Sequence, residues 1–147
     1  MASDDTRNAS GVTDAITSTY RTLLRETEGL LSREGITRAQ FQALRCVARG
    51  PLPMKDISEK MFVTRPNITG LIDKLESKGL VKRTGHRRDR RATIVRLTRK
   101  GSALQERVSS KYRTFMRDSL KVLTEEEQSN LRDTLLKLQE GMSQAGA

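Results

Sequence analysis

A chain of 147 residues with one cysteine and one histidine can bury a modest core, yet it cannot close an internal disulfide or build a cysteine zinc site. Its 28 lysines and arginines against 18 acidic residues give a formal net charge of +10, and no apolar run approaches the ~18 residues of a membrane span. These facts point away from a disulfide-stapled or membrane-embedded protein, predict a cytoplasmic one, and suit a polyanionic partner.

Residues 1–11 are small and polar and read as a flexible tail. From Val12, the positions Val12, Ile16, Tyr20, Leu23, Leu24, Leu30 and Leu31 recur at three- and four-residue steps, which predicts a helix over 12–34 closed by Gly35. Thr37 with Gln40 forms a capping box that opens a second helix through Phe41, Leu44 and Val47, closed by Gly50 and Pro51. Pro53 begins a short third helix from Met54 to about Lys60, with Ile57 and Met61 inward. Thr64 reads as the N-cap of a fourth helix, with Pro66 in its first turn, Ile68, Leu71, Ile72 and Leu75 as its buried stripe, and Gly79-Leu80 as its stop. Two short helices joined by a tight turn predict a helix-turn-helix.

Residues 81–84 and 92–97 are β-prone and predict a hairpin whose tip, Gly85-His86-Arg87-Arg88-Asp89-Arg90-Arg91, is crowded with arginine. Between Lys82 and Lys100 nine basic residues face a single acidic one, Asp89, so most of the charge excess of the chain sits in this stretch. Thr98 then caps a fifth helix carrying Leu104, Val108, Tyr112, Phe115, Met116 and Leu120. Thr124 with Glu127 forms another capping box, and the last helix holds Leu131, Leu135, Leu138 and Met142 on one face before a small tail at 143–147.

The predicted class is mainly α: a winged helix-turn-helix over 36–98 between long terminal helices at 12–34 and 99–142. Those helices carry more apolar surface than the centre can cover, so they are expected to dimerise with a second copy about a two-fold axis. The alternative is a monomer with the helices folded back on the core. Base edges are read from the first turns of a recognition helix, here Thr64, Arg65, Asn67 and Thr69. Arg65 suits guanine and Asn67 adenine, the threonines suit a base, a methyl or a phosphate, and Lys74 suits the backbone. Arginines at a hairpin tip suit a narrow minor groove, with Arg87, Arg88 and Arg90 on phosphates and His86 a bystander. The expected partner is double-stranded DNA with a pseudo-palindromic operator.

The run Leu71-Ile72-Asp73-Lys74-Leu75-Glu76-Ser77-Lys78-Gly79-Leu80-Val81-Lys82-Arg83, and then Asp89-Arg90-Arg91-Ala92 followed by Val95, Leu97-Thr98 and Gly101, resembles the multiple antibiotic resistance regulator (MarR) family. The resemblance spans about 12–142. It implies a homodimeric repressor relieved by a small ligand, with Asp89 holding Arg91 for insertion. It further implies a crevice for an aromatic or phenolic carboxylate, in which Arg21 and Tyr112 match salicylate contacts and Arg38 stands where one relative has a tyrosine. Some relatives switch by oxidising a cysteine, but near the first helix. Cys46 lies between Leu44 and Val47 on the second and reads as a structural thiol, with redox sensing as the alternative. No cofactor is expected. An enzyme finds no nucleophile with a base, no phosphate loop and no ligand cluster, whereas a non-specific architectural DNA-binding protein remains a rival.

Overall fold

The structure is a computed structural model that describes residues 4–85 and 93–145. Its elements are α1 (Asp4–Arg33), α2 (Arg38–Val47), β1 (Leu52–Pro53), α3 (Met54–Met61), α4 (Arg65–Ser77), β2 (Val81–Gly85), β3 (Thr93–Leu97), α5 (Arg99–Leu120) and α6 (Glu125–Ala145). The fold is mainly helical with a small antiparallel sheet, as expected. Two compact units divide the chain, residues 1–110 and 111–147.

Helix α1 starts at Asp4 rather than near Val12, so residues 4–11 of the expected flexible tail are helical. Apolar periodicity marks where a helix packs, not where it starts. Nothing between Asp4 and Val12 breaks a helix except the mild penalty of Gly11, and the backbone carries on outward with no core beneath it. The same holds at the other end, where α6 continues through Ser143 to Ala145 instead of fraying at 143.

Three helices of the first unit stop by the same device. In each, one N–H reaches back five residues and its predecessor reaches back three within that loop, the Schellman arrangement that requires a left-handed residue. Ile36 bonds Leu31 and Gly35 bonds Ser32 at the end of α1, and Leu80 bonds Leu75 and Gly79 bonds Glu76 after α4. Val63 bonds Ser58 and Phe62 bonds Glu59 after α3. Gly35 and Gly79 take the positive φ without cost, whereas at the third end the left-handed residue is Phe62, with φ 53°.

Side chains of these elements meet in one core that includes Leu31, Leu44, Ile57, Ile68, Ile72, Leu75, Val95 and Val108. The capping box at Thr37 and Gln40 forms in both directions, at 3.1 and 3.2 Å. The Gln40 carboxamide oxygen also accepts from Lys78 Nζ at 3.1 Å, and Lys78 reaches the Gly35 carbonyl at 2.7 Å, so the end of α4 is tied to the α1–α2 turn. Arg107 on α5 pairs with the largely buried Glu34 at 2.9 Å.

The sheet has the order β1-β3-β2. The expected hairpin is present, with Val81 opposite Leu97 and Gly85 opposite Thr93, but Leu52 and Pro53 add a third strand on the far edge of β3. Two residues are too short to show a period of two, and a proline in a strand is tolerated only at an edge, which is where Pro53 lies. In the second unit the box at Thr124 and Glu127 caps α6, and Gln128 donates to the carbonyls of Leu120 and Leu123 to close the turn before it. No described residue of α6 is buried.

Candidate nucleic-acid interface

Helix α4 has two faces with different tasks. Ile68, Ile72 and Leu75 are buried, while Thr64, Arg65, Asn67, Thr69 and Lys74 are exposed, so the four residues of the opening turns stand clear of the protein together. Thr64 has the extended backbone of an N-cap, but its side chain makes no capping hydrogen bond. Pro66, two residues on, has no N–H to offer, so of the two positions a cap can bond only the Asn67 N–H is left. Thr69 donates its hydroxyl to the Arg65 carbonyl at 3.0 Å, which leaves only its oxygen lone pairs and methyl for a ligand. Lys74, in the last turn, is exposed.

One arginine in the basic stretch is not available to a partner. Arg83 on β2 turns back to α4, where its guanidinium pairs with Asp73, reaches Glu76 at 3.3 Å and bonds the Thr69 carbonyl at 3.3 Å. The Glu76 carboxylate also accepts the Arg83 backbone N–H at 3.1 Å. The charge count over 82–100 therefore overstates what faces outward. Lys100 is likewise engaged, donating to the Lys78 carbonyl at 2.9 Å. The side chain of Arg83 was legible as a cation but not as a strut, because its partners lie on another element and follow no helix or strand period. The wing-tip expectations at His86, Arg87, Arg88, Asp89, Arg90 and Arg91 lie outside the described residues.

Beneath this surface, α4 is anchored to α5. The Thr98 hydroxyl donates to the Gly79 carbonyl at 2.7 Å and accepts the Gly101 N–H at 3.0 Å, capping α5 as its position suggests. The Thr98 N–H bonds the Leu80 carbonyl at 3.1 Å. Gly101 lies so close that a Cβ there would fall 1.9 Å from the Leu80 oxygen.

Within the first unit, Arg38 and Arg21 line separate depressions. Arg38 lines one of about 430 Å³ with Glu28, Leu31, Ser32, Gly35, Ile36 and Thr37. Arg21 lines another of about 560 Å³, with Asp14, Thr17, Ser18, Thr22 and Arg25. Tyr112 is half-buried in the second unit. Cys46 is half-buried on α2, and burial pushes its thiol up despite the opposing charges of Lys60 and Arg45, which reduces the thiolate present near neutral pH. Among the described residues no cluster of three or more His, Cys, Asp or Glu could hold a metal ion, and no helix is long and apolar enough to cross a membrane.

A MarR family model matches residues 34–92, from just after α1 to just before β3. YsmB of Bacillus subtilis, an uncharacterized HTH-type transcriptional regulator, is 30% identical over 114 residues, which cover 77% of this chain and 78% of YsmB. The chain belongs to the MarR family. The HTH-type transcriptional repressor MdtR of the same organism is 35% identical over 98 residues, covering 66% of this chain and 63% of MdtR, less than two thirds of that protein. Among solved structures, NadR in complex with 4-hydroxyphenylacetate superposes with a TM-score of 0.69 at 26% identity, covering 86% of this chain and 91% of NadR. As a MarR-family protein the chain is a DNA-binding transcriptional regulator and not an enzyme.

Proposed function

We propose that this MarR-family regulator is a homodimeric repressor that reads a pseudo-palindromic operator and is released by a small aromatic carboxylate. The observation that carries the reading is the exposed opening of α4, where Thr64, Arg65, Asn67 and Thr69 face outward over a helix whose opposite side is locked into the core. Arg65 and Asn67 are the base readers, Thr64 and Lys74 phosphate contacts. The arginine-rich segment Arg87, Arg88, Asp89, Arg90 and Arg91 supplies the minor-groove and phosphate contacts, with Asp89 orienting Arg91.

Two rows of exposed apolar side chains support a dimer: Val12, Ile16 and Tyr20 on α1, and Leu131, Leu135, Leu138 and Met142 on α6. Large apolar rows left in water on long helices mark surfaces made for association. Repression is the activity printed for MdtR, and an aromatic acid is what NadR holds. Chemically, Arg38 beside Leu31 and Ile36 offers a guanidinium fork for a carboxylate next to an apolar wall. Arg21 and Tyr112 remain the second pair suited to the same ligand class.

The test titrates 4-hydroxyphenylacetate and salicylate into the complex of the protein with an operator selected from random DNA, beside Arg38→Ala, Arg21→Ala and Tyr112→Phe. A ligand moves the equilibrium only by its differential affinity for the bound and free forms. We expect release at ~1 mM ligand, an affinity of about 4 kcal/mol, and loss of the response in at least one variant. If wild type and all three variants respond alike, or none responds, these residues do not form the effector site.

A further inference from the structure

We infer that Phe62 is a further DNA-contact residue of the helix-turn-helix, its ring lying against deoxyribose and thymine-methyl surface at the lip of the groove that α4 enters. The inference rests on the reading of α4 as the recognition helix. Of the three Schellman ends in the first unit, two use glycine at the left-handed position, and the third places a phenylalanine there at φ 53°. A bulky side chain in that conformation is strained, and such strain persists where something other than local geometry selects it.

Packing does not select it. The Phe62 side chain is 97% exposed, the most exposed large apolar residue among those described. Backbone geometry would be served better by glycine or asparagine, and the core would be no worse, so the ring is retained for a surface outside this subunit. Its place in the chain indicates which surface. Phe62 lies in the turn of the helix-turn-helix, three residues before Arg65, and in such motifs the preceding helix crosses the DNA backbone while the recognition helix enters the groove. The turn between them passes over the edge of the groove. The flanking cations Lys60 and Arg65 are exposed, and the neighbouring carboxylate Glu59 is paired with Lys55 at 3.8 Å, so the charge around the ring suits a polyanion. A phenyl ring between cations can cover sugar carbons and a thymine methyl while the cations meet phosphates.

The experiment compares wild type with Phe62→Gly, Phe62→Tyr, Phe62→Asn and Arg65→Ala on an operator duplex selected from a random pool by the wild-type protein. Thermal unfolding is followed in parallel. Phe62→Gly should melt no lower than wild type, because it relieves a strained backbone and uncovers nothing. It should nevertheless bind ~10-fold more weakly, about 1.4 kcal/mol. Its salt dependence should match that of wild type, since no charge is removed. Phe62→Tyr should retain most of the affinity, and Phe62→Asn, which tolerates the backbone, should lose it as glycine does. If Arg65→Ala weakens binding while Phe62→Gly and Phe62→Asn bind as wild type does, the inference is overturned and the recognition-helix reading stands. If Arg65→Ala also leaves binding unchanged, both fall. If Phe62→Gly instead abolishes a self-association seen without DNA, the ring is covered by a second copy and the inference is again overturned.

Discussion

Arg83 shows how a cation in a basic stretch can serve the recognition helix without touching a ligand. Its guanidinium takes the charges of both Asp73 and Glu76, and its Nε is buried with no partner, so the side chain is held by its terminal nitrogens. The carboxylates are partly exposed, which limits the worth of the pairs through screening. Replacing Arg83 by alanine should therefore cost about 1 kcal/mol of stability, read by urea denaturation. The effect on DNA should be larger than that figure suggests, because Asp73 and Glu76 would be left as unpaired negative charge beside the DNA-reading face. Lysine should not restore the wild-type behaviour, since a point charge cannot span two carboxylates and a carbonyl as a planar fork does. Recovery of full affinity in Arg83→Lys would show that only the charge matters.

At the scale of elements, the junction of α4, β2 and α5 fixes how the reading helix is carried. A methyl at Gly101 would collide with the Leu80 carbonyl, which is backbone and cannot swing aside. Gly101→Ala should destabilise the fold by ~2–4 kcal/mol, whereas Gly29→Ala, in open space within α1, should raise stability by up to ~1 kcal/mol through helix propensity. Equal effects on the urea midpoint would refute the crowding argument. This junction also shows what was legible beforehand. Thr98 as a cap and Gly79-Leu80 as a stop could be read directly, because capping and left-handed ends require particular residue types within a few positions. That the two signals bond each other, and that Gly101 is needed for closeness and not for its backbone freedom, depends on residues brought together from separate elements. Thr64, Arg65, Asn67 and Thr69, named from the sequence, stand together in space for the simpler reason that the opening turns of one helix hold them. The effector residues do not share that advantage: Arg21 and Arg38 come from different turns of chain and line different depressions. Likewise β1 left no trace in periodicity, and Phe62, lying in a turn, belonged to no stripe.

For the whole molecule, the exposed rows on α1 and α6 predict a particle of twice 16.6 kDa in light scattering at micromolar concentration. Leu131→Glu with Leu135→Glu should reduce it to the mass of one chain, since charges placed on an associating apolar face are costly to bury. The dimer should prefer half-sites ~10 base pairs apart, and its affinity should fall steeply between ~50 and ~200 mM salt. A 16.6 kDa wild-type particle would remove the basis for a palindromic site. The joint at Thr98 adds a mechanical condition to any such assembly. Through the Thr98 hydroxyl and backbone N–H, the start of α5 is bonded to the last carbonyls beyond α4, and Gly101 leaves no gap between them. Torque applied to the first turns of α5 is therefore passed to the end of α4 through backbone bonds, and under the function proposed above an effector need not touch α4 in order to move it.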